Sequence, residues 1–110
     1  MNKQMHPTEL AIALLRRSQC AVQVSAVLVD SWGIFAWGVN HAGNGFGMHA
    51  EDYCIRRANR KRLAEATMYV CARRKKSGRS VTAKPCLDCQ NRIVGVGRVV
   101  YRDGNGVWCG

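Results

Sequence analysis

The chain has 110 residues, of which 47% are hydrophobic, and it carries a formal net charge of +10 at neutral pH. This length suits one compact core, so we expect residues 1–110 to form a single domain, and the hydrophobic content argues against a disordered chain. The excess of positive charge predicts a surface that attracts anions, either nucleic acid or phosphorylated small molecules, unless the lysines and arginines only solvate one face.

Six cysteines in so short a chain raise the alternative of a secreted disulfide scaffold. The apolar run near the N-terminus, Leu10 to Leu15, is shorter than the hydrophobic segment of a signal peptide and is followed at once by Arg16 and Arg17. No apolar run is long enough to span a membrane. We therefore expect a cytoplasmic protein in a reducing compartment, with cysteines that act as thiols, metal ligands or core residues.

The sequence alternates short apolar strands with helices. Helices are predicted over three segments: one that begins near Pro7 and Thr8, one over 49–62, and one from Pro85 to about Val94. Strands are predicted where β-branched and apolar residues cluster: 21–29, 34–39, 66–72 and 98–101. Turns and loops fill the remaining polar or glycine-rich segments: 30–33, 40–48 and 73–84. The alternation after residue 40 predicts an α/β fold with right-handed crossovers and a partly parallel sheet covered by helices.

Two short motifs fall at the starts of the second and third predicted helices. Cys86 and Cys89 are three residues apart, so on a helix they share one face and can bind the same metal ion. The helix dipole favours their thiolate forms. His49 opens the other helix and would supply a third ligand. Three protein ligands leave a fourth tetrahedral position for water, which is typical of a catalytic zinc site. Zinc lowers the pKa of that water, and Glu51 would carry its proton.

Each motif alone has an ordinary explanation. A C-x-x-C pair occurs in thioredoxin-like redox sites and as half of a zinc finger, and an isolated His-x-Glu carries almost no information. The redox pair opens the first helix of a different arrangement, and no second C-x-x-C or H-x-x-x-H follows in this chain. The combination H-x-E…P-C-x-x-C, in this order, is the signature of zinc deaminases, in which activated water attacks C4 of cytosine or C6 of adenine.

From about Ala21 to Tyr101 the chain resembles the cytidine and deoxycytidylate deaminase superfamily. The segments that carry the resemblance are D..GIFAWGVN, HAE, ATMYV, KPCLDC and GVGRVVY. The resemblance implies a cytidine deaminase-like three-layer α/β fold, with a mixed sheet of about four to five strands covered by helices and one catalytic zinc ion between two helix N-termini. It also implies that the zinc ligands are His49, Cys86 and Cys89, and that Glu51 is the catalytic acid/base.

The same resemblance suggests two substrate contacts around this centre, and an aromatic residue and a basic loop suggest others. Asn40 matches an asparagine that contacts the sugar or base in the family, although asparagine is also a common turn residue. The backbone amide of Ala50 matches the family's usual contact to the base. Phe46 is a candidate for stacking on a base or for packing against the protein. Arg73 and Arg74 begin a basic loop, which would hold a 5′-phosphate or follow a polynucleotide backbone.

The sequence leaves three functional hypotheses open. The first is zinc-dependent hydrolytic deamination of cytosine to uracil in a nucleoside or nucleotide such as deoxycytidylate. The resemblance favours cytosine here, because Asp88 gives the P-C-x-D-C form that is frequent in cytosine-type members, although an acid in a first helical turn also has a structural explanation. The second is the same chemistry on cytosine or adenine in single-stranded DNA or RNA, with the basic clusters 56–62 and 73–79 along the strand. The third is a catalytically silent, zinc-stabilised nucleic-acid-binding module, against which the intact Glu51 argues. A domain of this kind is also a candidate for homo-oligomerisation, and no membrane partner is expected.

Overall fold

The computed structural model describes residues 5–41, 49–84 and 95–110. Its α-helices are α1 (Pro7–Leu14) and α2 (Ala50–Arg57), and 3-10 helices cover Leu15–Arg17 and Arg60–Glu65. Its strands are β1 (Val22–Asp30), β2 (Gly33–Val39), β3 (Thr67–Arg74), β4 (Ser80–Val81), β5 (Arg98–Arg102) and β6 (Trp108–Cys109). The helix predicted from Pro85 to Val94 lies outside the described residues. Among those that are described, no helix has the length and apolar character needed to cross a membrane.

The six strands of the described residues form one mixed sheet. Its order is β2-β1-β3-β5-β6, and β4 pairs with the C-terminal part of β3. The β1–β2 hairpin and the β1–β3 pair are antiparallel, whereas β3 and β5 run parallel in register from Thr67 opposite Arg98 to Val70 opposite Tyr101. The predicted partly parallel sheet is therefore confirmed.

Two apolar layers cover the sheet, one on each face. On the first face α1 and the 3-10 helix after it bury Ala11, Leu14 and Leu15 against a cluster from three strands: Val27, Val39 and Cys71. On the second face α2 buries Ala50 and Cys54 against the alternate side chains of β1 and β3: Ala26, Leu28, Met68 and Val70. Neighbouring residues of β1 and β3 thus point to opposite layers, as the strand period requires. This arrangement confirms the predicted three-layer α/β fold.

The structure corrects several predicted boundaries. The helix predicted over 49–62 ends at Arg57, because the side chain of Asn59 accepts a hydrogen bond from the amide of Lys61 at 3.0 Å and caps a separate 3-10 helix. Residues 73–84 are only partly loop, since β3 continues to Arg74 and turns back into β4. Gly78 supports that turn with a φ of 71°. The two-residue strands β4 and β6 were not predicted.

An ion pair fastens the turn between β1 and β2 to the 3-10 helix that precedes β3. Arg62 donates from Nε and Nη2 to the two carboxylate oxygens of Asp30, each at 2.6 Å. These hydrogen bonds hold the pKa of Asp30 below its ordinary value of 3.8. The unfolded chain therefore binds the proton more readily, so the stabilisation is complete above that value and is lost as the pH falls through the lower folded pKa.

Asp30→Asn should lower stability at neutral pH, and the difference from wild type should shrink in acid. Asparagine can still accept the hydrogen bond that Asp30 takes from the amide of Trp32, so the substitution isolates the charged pair. Urea denaturation midpoints of both proteins at about pH 7 and about pH 3 measure the effect. An equal difference at the two pH values would contradict the assignment.

Candidate functional site

The first turn of α2 carries the three residues of the HAE motif. His49 is the N-cap residue, with φ −72° and ψ 144°, and its carbonyl oxygen accepts a hydrogen bond from the amide of Tyr53 at 3.0 Å. His49 is exposed, Ala50 is fully buried, and Glu51 is only 5% exposed. The acidic first turn stabilises the positive end of the helix dipole. The helix start therefore holds an exposed imidazole residue two positions from a buried carboxyl residue.

The close approach of α2 to β2 depends on Gly38. A Cβ atom at this position would lie 2.8 Å from the backbone nitrogen of Cys54, 3.0 Å from the carbonyl oxygen of Ala50 and 3.2 Å from the Cβ of Tyr53. Two of these three atoms are backbone, which cannot move aside without moving the helix. The bare backbone at Gly38 thus sets the distance between the sheet and the helix that carries His49 and Glu51.

Asn40 lies directly after β2, and its side chain is held by three hydrogen bonds. Oδ1 accepts from the Ser18 hydroxyl at 2.6 Å and from the amide of Val24 at 2.9 Å, and Nδ2 donates to the carbonyl of Val22 at 2.9 Å. These bonds connect the end of β2 to the start of β1 and to Ser18, the residue that follows the first 3-10 helix. The bond to Val22 uses one of the two Nδ2 hydrogens, and the second hydrogen takes part in none of these three bonds.

A chain of hydrogen bonds joins Asn40 to Arg73. The Nε of Arg73 donates to Oε1 of Gln23 at 2.8 Å, and Nε2 of Gln23 donates to the carbonyl of Ser18 at 2.7 Å. Ser18 in turn donates to Asn40. Hydrogen bonds therefore connect these two predicted substrate contacts through Gln23 and Ser18. Arg74 is exposed, and its amide donates to the carbonyl of Arg79 at 2.9 Å, which closes the β3–β4 hairpin.

The remaining predicted site residues, Cys86, Cys89 and Phe46, lie outside the described residues. Within residues 5–41, 49–84 and 95–110, no group of three histidine, cysteine, aspartate or glutamate residues is close enough to hold a metal. Cys54, on the same helix as His49, is fully buried. Burial, and to a lesser degree the nearby Glu51 carboxylate, raises the pKa of the Cys54 thiol to about 12. Cys54 thus packs as a neutral core thiol.

The sequence profile described as "Cytidine and deoxycytidylate deaminase zinc-binding region" matches residues 1–102, which include the HAE and P-C-x-x-C motifs. The chain belongs to the cytidine and deoxycytidylate deaminase family. The predicted resemblance is therefore confirmed, and the family supports an enzyme of the cytidine deaminase type that depends on zinc. No curated protein sequence matches this deaminase-family chain significantly.

Solved structures share the fold of this family member. A cytidine deaminase from Burkholderia pseudomallei superposes with a TM-score of 0.66 at 20% identity, over 94% of this chain and 88% of that one. A dCMP deaminase from the cyanophage S-TIM5, in its apo form, gives a TM-score of 0.63 at 23% identity, over 88% and 79% of the two chains. RibD from Acinetobacter baumannii gives 0.59 at 23% identity, over 88% of this chain and 27% of RibD. These likenesses establish the cytidine deaminase-like fold.

Sequence reasoning missed three residues that shape the site: Gly38, Ser18 and Gln23. A signal existed for Gly38, because a glycine inside a strand often marks a close backbone approach. No local signal existed for Ser18 and Gln23, since their partners Asn40 and Arg73 are 22 and 50 residues away in the chain.

Proposed function

We propose that this chain is a zinc-dependent hydrolase that deaminates cytosine to uracil in a nucleoside or nucleotide such as deoxycytidylate. The observation that carries the proposal is the first turn of α2, where the buried Glu51 follows the exposed His49 within the matched family region. We also propose that residues 1–110 act as one catalytic domain.

The proposed zinc ligands are His49, Cys86 and Cys89, and the chemistry of this donor set fits the metal. One imidazole and two thiolates suit zinc, and three protein ligands are typical of its catalytic sites. When bound, zinc would lower the pKa of a water molecule at the fourth position and so make a nucleophile available near neutral pH. The exposed position of His49 at the start of α2 is compatible with such a ligand.

Glu51 is the proposed acid/base. Its carboxylate would accept a proton from the attacking water and deliver it to the ring nitrogen of the base. It would then accept the proton of the new C4 hydroxyl group and deliver it to the amino group, which departs as ammonia while the C4 carbonyl of uracil forms. Burial of Glu51 favours this role because water is largely kept from the carboxylate and its rotamers are restricted. Glu51 alone can serve both proton transfers because they occur one after the other.

Two further groups are proposed to orient the base and sugar. Ala50 is the first residue of α2, and the first amides of a helix have no partner within it, so the amide of Ala50 would donate to the base. The second Nδ2 hydrogen of Asn40 would donate to the sugar or base. Its amide plane is fixed by Ser18, Val24 and Val22, so the donor is positioned before substrate binds. Phe46 and Arg74 remain proposed contacts to the base and to a phosphate.

Metal content and turnover test this proposal together. The purified chain should hold about one zinc ion, and Cys86→Ala should lose most of it because two ligands bind far more weakly than three. Cys109→Ala is the matched control, since Cys109 is a partly exposed thiol in β6. Zinc is measured by plasma emission spectroscopy, and deamination is assayed on cytidine, deoxycytidine, their monophosphates, DNA, RNA and adenine counterparts.

Full zinc occupancy in Cys86→Ala would overturn the ligand assignment. Turnover of adenine substrates alone would overturn the assignment to cytosine. A zinc-loaded chain that turns over none of these substrates would favour the zinc-stabilised binding module instead.

A further inference from the structure

A cluster of basic and aromatic side chains lies at the outer edge of the sheet. It lines a cavity of about 210 Å³, which we call the edge groove: Arg17, Trp37, Val39, His41, Tyr53 and Arg57. β2 is the outermost strand on this side. Trp37 packs with the α1 layer, whereas Tyr53 and Arg57 belong to α2 in the opposite layer. The edge groove therefore wraps around the edge of the sheet and joins the two helical layers.

The groove combines fixed positive charge with aromatic rings. The guanidinium carbons of Arg17 and Arg57 lie 5.3 and 5.2 Å from the ring centroid of Trp37. Arg57 also lies 4.3 Å from the ring centroid of Tyr53 and donates to its hydroxyl at 3.1 Å. The ring centroids of His41 and Tyr53 are 4.8 Å apart. Cation–π contacts of this kind hold the arginine side chains in place beside the rings.

These charges are not neutralised by carboxylates among the described residues. The ion pairs found there join Arg56 to Asp52 and Arg62 to Asp30, and neither includes Arg17 or Arg57. Both arginines are exposed. A second copy of this chain, with its net charge of +10, is a poorer electrostatic match for such a surface than an anion is. An anion that also carries planar rings is the complementary occupant.

We propose that the edge groove binds single-stranded nucleic acid, with Arg17 and Arg57 on backbone phosphates and the bases in contact with the aromatic side chains. Positive grooves with aromatic platforms are the usual means of binding single strands. This inference rests on the proposed function only for the position of the reacting base. Arg57 lies about 9 Å beyond Glu51 along the axis of α2 and about 120° around it, so a strand with its cytosine at Glu51 would reach the groove a few nucleotides farther along. The substrate class then includes cytosine within a strand.

Binding to a labelled oligothymidylate tests the groove without any deamination, because this strand contains no cytosine. Arg17→Gln combined with Arg57→Gln is compared with the double variant of the adjacent residues, Arg16→Gln combined with Arg56→Gln. Both double variants remove two positive charges, but only the first changes the groove. Urea denaturation midpoints establish that each variant is folded.

Fluorescence anisotropy should show affinity about tenfold lower for the groove variant, with a salt dependence shallower by about one and a half powers because two phosphate contacts are lost. The control variant should change by less than about threefold. Equal losses in the two double variants would show that only net charge matters and would overturn the proposal. Unchanged affinity in the groove variant would overturn it as well.

Tryptophan fluorescence tests the ring contacts. Trp37→Phe keeps a ring in the groove but should remove most of the quenching that oligothymidylate causes. Trp32→Phe is the matched control, because Trp32 is 86% exposed in the β1–β2 turn outside the groove. Quenching that survives in Trp37→Phe and disappears in Trp32→Phe would place the strand elsewhere and overturn the proposal.

Competition separates a strand from a free nucleotide. If thymidine monophosphate or inorganic phosphate displaces the strand at comparable concentration per phosphate, the groove is a mononucleotide or phosphate site and the strand proposal fails. The deaminase proposal fails independently. A chain that is inactive on all cytosine substrates but binds oligothymidylate at the groove would refute the deaminase proposal and leave the groove proposal standing.

Discussion

Glu51→Gln is expected to lower deamination by at least about a thousandfold while leaving the fold and the zinc content unchanged. Glutamine has nearly the shape of glutamate, so it can fill the same buried site, but it cannot accept a proton and pass it on. Loss of a group that acts in both proton transfers should exceed the loss of a single acid or base, which costs about a hundredfold or more. Turnover is measured under saturating substrate, and zinc is measured on the same sample.

Asp52→Asn is the matched control for this prediction. Asp52 is the next residue in the first turn of α2, and it pairs with Arg56 at 3.3 Å, a contact between a helix residue and the residue four positions on. The substitution removes one negative charge from the same turn, so a general electrostatic effect would appear in both variants. We expect Asp52→Asn to keep most of the activity. Near-normal turnover in Glu51→Gln would show that another group carries the proton.

The strands that place the site could be predicted because each buries side chains locally. The β-branched run in β1 and the apolar run in β3 predict strands without knowledge of their partners, and the parallel pairing of β3 and β5 follows from the intervening helix pattern. The two-residue strands β4 and β6 carry too little sequence for any period to show. They exist because neighbouring strands offer hydrogen-bonding edges, which is tertiary information.

The basic clusters show why side-chain roles are harder to predict than elements. The segment 56–62 groups its arginines by adjacency, yet the structure separates their partners: Arg56 pairs with Asp52, Arg57 with Trp37 and Tyr53, and Arg62 with Asp30. The next cluster is divided in the same way, because Arg73 holds Gln23 whereas Arg74 is exposed. In the first cluster α2 ends at Arg57, and in the second cluster successive residues of β3 point to opposite faces of the sheet, so neighbouring side chains lie in different places. Adjacency in sequence therefore did not identify the groove that Arg17 and Arg57 share.

The candidate site also divides into features that local sequence predicts and features that depend on tertiary contacts. The motifs predicted which residue types could hold zinc and move a proton, because those functions depend on chemical identity and on short spacings. They did not predict the hydrogen-bond chain from Arg73 through Gln23 and Ser18 to Asn40, which depends on how β1, β3 and the α1 segment meet. Family membership then supports the motif prediction, and the coordination by Cys86 and Cys89 stays a prediction.

Gly38→Ala should destabilise the protein by about 1–3 kcal/mol and should lower activity and zinc content further than this loss of stability explains. Replacing glycine by alanine inside a strand ordinarily stabilises by up to about 1 kcal/mol, since the unfolded chain loses freedom. Here the new Cβ would lie 2.8 Å from the backbone nitrogen of Cys54, so α2 must shift away from β2. That shift moves His49 and Glu51 relative to Asn40, which stays fixed to β1 by its own hydrogen bonds.

Gly104→Ala is the matched control, because the nearest atom to its new Cβ, the backbone nitrogen of Thr82, is 4.0 Å away. Urea denaturation, zinc content and turnover of the two variants are compared at a temperature where both are folded. If Gly38→Ala were as stable as Gly104→Ala and bound zinc fully, the contact at Gly38 would not set the position of α2. If it were less stable but fully active when folded, the contact would support the fold without tuning the site. The expected result is a folded protein with weakened zinc binding and turnover. It would show that the position of the first turn of α2 depends on the absence of a side chain at Gly38 in β2.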